Sequence, residues 1–217
     1  MPSDEDKRGA GGRRMSREDR RLAIIDAAIE VFAKKGFFGA KVSEIAETAG
    51  VADGTIYLYF KSKDELLISL FEERMEMIIG DLEALLAFTD DPREKLRRYI
   101  VAHLELVASK PQLMQVLTIE LRQSARFIKE YSPKGFGRYL GMLGAIVEEG
   151  QRKGYFRKEL DPGVFRRALF GAIDELSLEW ILRNRDARYR AEHPIPDPRA
   201  VGSDIADFIL RGLRDED

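Results

Sequence analysis

The stretch GVADGTIYLYFKSKDELL, residues 50–67, sets Tyr57, Tyr59 and Phe60 beside Lys61 and Lys63, next to a Gly54–Thr55 pair. A turn at Ala49–Gly50–Val51 separates it from a short segment, opened by Ser43, whose Ile45, Ala46 and Ala49 face inward. Two short helices joined by such a turn form the helix-turn-helix pattern. In the second helix, capped by Asp53 and running through Phe60, Ile56 and Phe60 are four apart and share the inward face. Gly54, Thr55, Leu58 and Tyr59 then face away from the core, with Tyr57 on one flank. A helix entering a major groove needs small residues for close approach, hydroxyls for phosphates and a few side chains that reach base edges. Lys63 stands at the start of the next helix, where free N–H groups and the helix dipole favour phosphate. The competing reading makes Tyr57 and Tyr59 the cover of a small core.

Charge is distributed to match. The 217-residue chain carries a net charge of −2, yet residues 7–61 hold 11 Lys and Arg against 7 Asp and Glu. A basic first quarter on an acidic remainder fits an anion-binding module joined to something else. Apolar residues at 44% suffice for a core, and 34% charged residues argue for a soluble protein. With no cysteine, disulfides, thiolate metal sites and a cysteine nucleophile are excluded. Two distant histidines, His103 and His193, argue against a histidine metal site, so no metal is expected. No apolar run approaches the ~18 residues of a membrane span, and the N-terminus has no apolar signal core. The expectation is a cytoplasmic protein without a membrane partner.

The chain reads as helix after helix, an all-α fold of about nine helices. Residues 1–15 are Gly- and charge-rich and are expected to be disordered; their arginines either form an arm for a DNA minor groove or remain a solvated tail. Ser16 and Asp19 form a capping pair before the stripe Leu22, Ile25, Ile29 and Phe32. Lys34–Lys35–Gly36 ends that helix. Ser62 with Glu65 forms a second capping box and opens a long helix carrying Leu66, Leu67, Leu70, Phe71 and Ile78. Asp91–Pro92–Arg93–Glu94 and Pro111 open further helices. A long segment follows from about residue 126 to 150, with a break or bend near Ser132–Pro133. Asp161–Pro162 starts a helix that runs past Trp180. Residues 186–200 read as a loop, and Ala200 to Leu213 as a last helix. No hairpin or solenoid repeat is found.

Over residues 21–67, the segments IIDAAIEVFAKKGF and VSEIAETAGVADGTIYLYFKSKDELL resemble the DNA-binding domain of the TetR family of one-component repressors. The resemblance implies a three-helix reader, residues 16–62, and an effector-binding and dimerisation domain, residues 63–217. It also implies that Gly54 and Tyr57 approach bases, while Val42, Ser43, Thr55, Tyr59 and Lys63 hold phosphates or neighbouring bases. Ser43 and Asp53 depart from members that carry long polar or basic side chains there.

Farther along, ISLFEERM (68–75), ELRQS (120–124), YLGMLGAIVEEGQRKG (139–154) and FGAIDELSLEW (170–180) resemble the FadR-type TetR regulators of fatty-acid degradation. That implies a repressor released from its operator by long-chain acyl-CoA; the alternative is a repressor answering to another apolar or drug-like molecule. A long acyl chain needs a deep apolar tunnel, and each buried CH₂ contributes about 0.8 kcal/mol. The inward stripes that either line such a tunnel or fill a core are Ile100, His103, Leu104 and Val107; Leu140, Leu143, Ile146 and Val147; and Phe165, Leu169, Ile173, Leu176 and Trp180. Arg122 sits in the apolar run VLTIELRQS, where a charge is costly unless paired. Arg122 with Gln123, and Arg126, Lys134 and Arg138 nearby, are candidates for a CoA head group. His103 is either a satisfied core residue or a partner of the thioester region.

The apolar breadth of FRRALFGAIDELSLEWIL and IADFILRGL predicts a homodimer through the last two helices. Such a dimer sets two readers ~34 Å apart on a pseudo-palindromic duplex. An enzyme is not expected, since no nucleophile elbow, phosphate loop or metal-ligand cluster occurs. Neither a catalytic residue nor a cofactor is anticipated beyond the acyl-CoA effector.

Overall fold

In the computed structural model, residues 15–123, 134–184, 191–192 and 196–213 are described, and among these residues no strand occurs. Helix α1 (Arg17–Gly39) starts as its sequence dictates. Ser16 Oγ accepts the Asp19 N–H at 3.0 Å and the Asp19 carboxylate accepts the Ser16 N–H at 3.1 Å. Gly36, at φ +73°, interrupts it where an L side chain would be strained, and one further turn reaches Gly39. Helix α2 (Val42–Thr48) begins one residue before the expected Ser43, because the Glu44 carboxylate takes the Lys41 N–H at 3.1 Å. Gly50, at φ +67°, makes the turn, and the Val51 N–H reaches the Ala46 carbonyl at 2.9 Å.

Helix α3 (Asp53–Ile56) departs from expectation. Ala52, not Asp53, is its N-cap, and it stops at Ile56 rather than Phe60. The Leu58 and Tyr59 N–H groups bond three residues back, to Thr55 and Ile56, so the chain tightens into a turn before Phe60 buries. Helix α4 (Lys63–Leu86) is capped by Ser62, which accepts the Glu65 N–H at 3.1 Å. The reciprocal half of the expected capping box is shifted, since the Glu65 carboxylate takes the Lys61 N–H.

Helix α5 (Pro92–Ser109) has Asp91 as its cap and buries Leu96, Tyr99, Ile100, His103, Leu104 and Val107. Helix α6 (Pro111–Gln115) continues as a π turn, Val116–Glu120, and a 3₁₀ turn, Leu121–Gln123. Helix α7 (Lys134–Arg152) follows; the expected break at Ser132–Pro133 lies outside the described residues. Helix α8 (Pro162–Asn184) starts after Asp161 as expected. In the stretch read as a loop, Ala191 and Glu192 are helical, and α9 (Pro198–Gly212) begins two residues before Ala200, because Asp197 caps it. The N-terminal tail lies outside the described residues up to position 14.

Helices α1 to α3 form a small unit in which Ile56 and Phe60 are buried with Ile24, Ile25, Phe32 and Ile45. Helix α9 lies along α5, with Gly202 close against Val101; α7 packs on α4, α5 and α8. Among the described residues a large apolar core runs from Ile24 in α1 to Leu213 after α9, beside a smaller cluster of Val107, Met114 and Ile181. Helix α6 and the π turn rest on α1.

Candidate DNA face and effector cavity

The reader presents an open groove bordered by Lys41, Val42, Ser43, Asp53, Tyr57, Lys61 and Lys63. Tyr57 is 56% exposed and Leu58 74% exposed, and Gly54 and Ser43 are exposed as well. Val42, Thr55 and Tyr59 are half-buried; Val42 and Tyr59 pack against the core. The Arg17 guanidinium lies 5.8 Å from the centre of the Tyr59 ring, within cation–π range. Lys63 points elsewhere than the sequence suggests. Its ammonium donates to the carbonyls of Phe37 at 2.7 Å and Ala40 at 3.0 Å, and lies 4.7 Å from the centre of the Phe37 ring. It therefore satisfies carbonyls left open at the end of α1. What Lys63 offers the groove is its backbone N–H at the start of α4. The exposed ammonium groups of the groove belong to Lys41 and Lys61, which the sequence reading passed over because neither lies on the apolar-periodic frame.

A second site lies between α4 to α8. It is a cavity of about 220 Å³. Helix α4 supplies Phe71, Met75 and Ile78; α5 supplies His103 and Leu106; α6 and its π turn supply Met114, Leu117 and Thr118. Leu121, Phe136, Tyr139 and Phe170 complete the apolar wall, and Arg122 with Asp174 forms its charged spot. The Arg122 guanidinium meets Asp174 at 2.7 Å and its side chain is 55% exposed, so this pair marks the side open to solvent.

Of the residues named from sequence as ligand-binding, His103 and Arg122 line this cavity. Ile100, Leu143, Val147, Leu169 and Ile173 are buried in the filled core. Leu104, Val107, Leu176 and Trp180 border a different pocket, of about 280 Å³, between α5, α8 and the start of α9. Leu140 is half-buried and lines neither, and the Gln123 side chain lies outside the described residues. The walls from α4 and α6 were missed. Their signal was the methionines Met75 and Met114, adaptable gap-fillers, and Thr118 inside an apolar run. Of the nearby cations, Lys134 is exposed, Arg138 pairs with Glu76 at 2.7 Å, and Arg126 lies outside the described residues.

His103 is fully satisfied. Nδ1 lies 2.7 Å from the Tyr139 hydroxyl and Nε2 3.2 Å from Ser177 Oγ. Ser177 donates its own proton to the Ile173 carbonyl at 2.6 Å. One tautomer fits this order: Tyr139 donates to Nδ1, and Nε2–H donates to Ser177. Burial pushes the imidazole down to about 4, opposed by the Asp174 charge, so the ring is neutral near pH 7. Burial likewise pushes the Tyr139 phenol well up.

The same segment that walls the cavity also holds the reader. Gln115 donates from Nε2 to the Ala33 carbonyl at 2.7 Å, and the Glu120 carboxylate accepts the Phe37 N–H at 2.8 Å, both buried. Arg21 pairs with Glu73, and Arg74 with Asp26, closing α4 onto α1.

A helix-turn-helix unit joined to a helical bundle with an apolar cavity has the layout of a one-component transcription regulator, and the chain belongs to the TetR family. Residues 24–70 match the bacterial regulatory proteins of the tetR family, and residues 71–192 match the YsiA-like C-terminal region. The fatty acid metabolism regulator protein of Bacillus subtilis is 36% identical over 195 residues, which is 90% of this chain and 96% of that protein. The structure of FadR from Bacillus subtilis in complex with stearoyl-CoA superposes with a TM-score of 0.79 at 36% identity, covering 89% of this chain and 99% of that one. The fatty acid degradation regulator FadR of Bacillus halodurans gives 0.76 at 37% identity, with the same coverage. These relatives are regulators, not enzymes. Among the described residues no helix is long and apolar enough to cross a membrane.

Proposed function

We propose that this TetR-family regulator represses genes of fatty-acid metabolism from a pseudo-palindromic operator, and that long-chain acyl-CoA in the cytoplasm releases it. The observation that carries this reading is the apolar cavity whose wall, α6 with its π turn, also grips α1 through Gln115 and Glu120. At about 220 Å³ the cavity is smaller than the ~300–1,000 Å³ of ligand-bearing pockets. A long acyl chain must therefore push its walls apart. The π turn is the wall least committed to regular hydrogen bonding. Moving it disturbs the two buried bonds to α1 and the seat of the recognition surface. Near-complete release needs a ligand that prefers the displaced form by roughly 10⁴-fold.

The thioester and head group leave the cavity beside Arg122, where phosphates compete with Asp174 for the guanidinium. Dimerisation is assigned to α8 and α9, which expose Val164, Leu182 and Phe208, the last at 76%, together with the small residues Gly171 and Ala172. On this reading residues 16–62 are the reader and 63–217 the sensor. The test is a thermal-shift and operator-release assay with palmitoyl-CoA, with palmitate, CoA and hydrophobic dyes as controls. Stabilisation and release by palmitoyl-CoA are expected. Neither effect, or a response to dyes alone, removes the acyl-CoA reading and leaves the repressor.

A further inference from the structure

Four of the side chains lining the effector cavity are Ile78 of α4, His103 and Leu106 of α5, and Tyr139 of α7. The same four border a second chamber of about 110 Å³, lined by Leu82, Leu85 and Ala102, with Asp81 at its rim. The two spaces thus share these four side chains as a common wall. Ile78 and Leu106 are half-buried aliphatic groups, held by packing. His103 and Tyr139 are buried and joined by the 2.7 Å hydrogen bond. That bond is braced on both sides. Ser177 holds Nε2 of His103, and the buried Tyr99 hydroxyl donates to the Tyr139 carbonyl at 3.1 Å. Parting the pair leaves polar groups unpaired in an apolar interior, where they are costly.

We infer that the His103–Tyr139 pair, with Leu106, is the stop that sets the acyl-chain length this regulator takes. This rests on the acyl-CoA reading above and adds a ruler to it. A chain whose terminal methyl falls short of this wall gains contact with every added methylene. A longer one must break the His103–Tyr139 bond or leave methylenes in water. On this inference both residues act at the ligand's tail.

The experiment is isothermal titration of even-numbered saturated acyl-CoAs, from octanoyl to eicosanoyl, against the full chain and two variants. Leu106→Ala opens the wall without touching the hydrogen-bond chain; His103→Ala opens it and removes that chain. In the unmodified protein affinity is expected to rise about fourfold per methylene, the equivalent of ~0.8 kcal/mol, and then to break off at one length. In Leu106→Ala the rise continues into the second chamber. The first even-numbered chain past the break then binds roughly fifteen-fold tighter than to the unmodified protein, two methylenes' worth. His103→Ala moves the break in the same direction. A break at the same length in all three proteins overturns the proposal. If no acyl-CoA binds the unmodified protein, the effector reading falls instead. The same length series of free fatty acids, read by melting temperature, then decides: a break that moves in Leu106→Ala upholds the ruler, and a fixed or absent break overturns it.

Discussion

Two buried side chains set the residue-scale behaviour. His103 is neutral in the fold, with its pKa pushed down to about 4 by burial, against about 6.5 in the unfolded chain. Between those values the unfolded chain binds more protons, so stability rises with pH. The contribution is complete above about pH 6.5 and is lost as pH falls towards about 4, by up to about 3 kcal/mol. Urea unfolding at about pH 7.5 and about pH 4.5 should therefore show a smaller acid loss in His103→Leu than in the unmodified protein. Glu120 is the second case. Glu120→Ala leaves the buried Phe37 N–H without its acceptor and should cost about 1–3 kcal/mol, whereas Glu120→Gln keeps a carbonyl there and should cost less. Denaturant midpoints of the two variants check this. Sequence reading went furthest astray with Lys63. Its place at a helix start is local information and was legible. That the end of α1 lies beside it, offering carbonyls to the ammonium, is a long-range fact that no local pattern carries.

At the scale of elements, starts were easier to read than ends. Ser16, Ser62, Asp91, Pro111 and Pro162 mark helix beginnings through groups within four residues, so the sequence declares them. The early stop of α3 and the π turn after Gln115 answer to packing from elsewhere, and neither was anticipated. The cavity was misplaced for a related reason. Periodicity tells that Ile100, Leu143 and Ile173 face inward; it does not tell whether the space they face is filled. One element junction makes a sharp prediction. A Cβ at Gly150 would stand 2.0 Å from the Phe156 ring, at the end of α7 where Phe156 turns back into the core. Gly150→Ala should destabilise by about 1–3 kcal/mol or more, with Gly154→Ala as the uncrowded comparison, strained by φ alone. Thermal unfolding of both variants measures it.

At the scale of the whole molecule, the DNA face and the core make separable demands. On a selected palindromic duplex, Tyr57→Ala should weaken binding by roughly tenfold or more, the worth of a base contact. Lys41→Ala and Lys61→Ala should each flatten the dependence of log affinity on log salt by about one phosphate's worth. Lys63→Ala should instead lower the melting temperature first, since its ammonium ties α4 to the end of α1. Fluorescence anisotropy across a salt series, alongside melting curves, separates the two kinds of loss. The helix-turn-helix and its exposed tyrosine were legible from 18 residues of sequence because that unit is nearly self-contained. The cavity was not, because its walls come from five helices far apart in the chain.

The grip of α6 and α4 on the reader has a consequence for how such regulators diverge. Gln115 holds the Ala33 carbonyl, Glu120 the Phe37 N–H, and Lys63 the Phe37 and Ala40 carbonyls. Every one of these partners is a main-chain atom. These three holds ask only for a backbone that kinks at the same place; the side-chain-specific part of the joint is the Arg21–Glu73 and Asp26–Arg74 pairs and the Phe37 ring under Lys63. Operator preference can therefore drift by substitution at exposed positions such as Ser43, Gly54 and Tyr57 without rewriting this joint. A foreign reader with a glycine at the kink and with Arg21, Asp26 and Phe37 kept should seat on this body in a chimera and inherit its response.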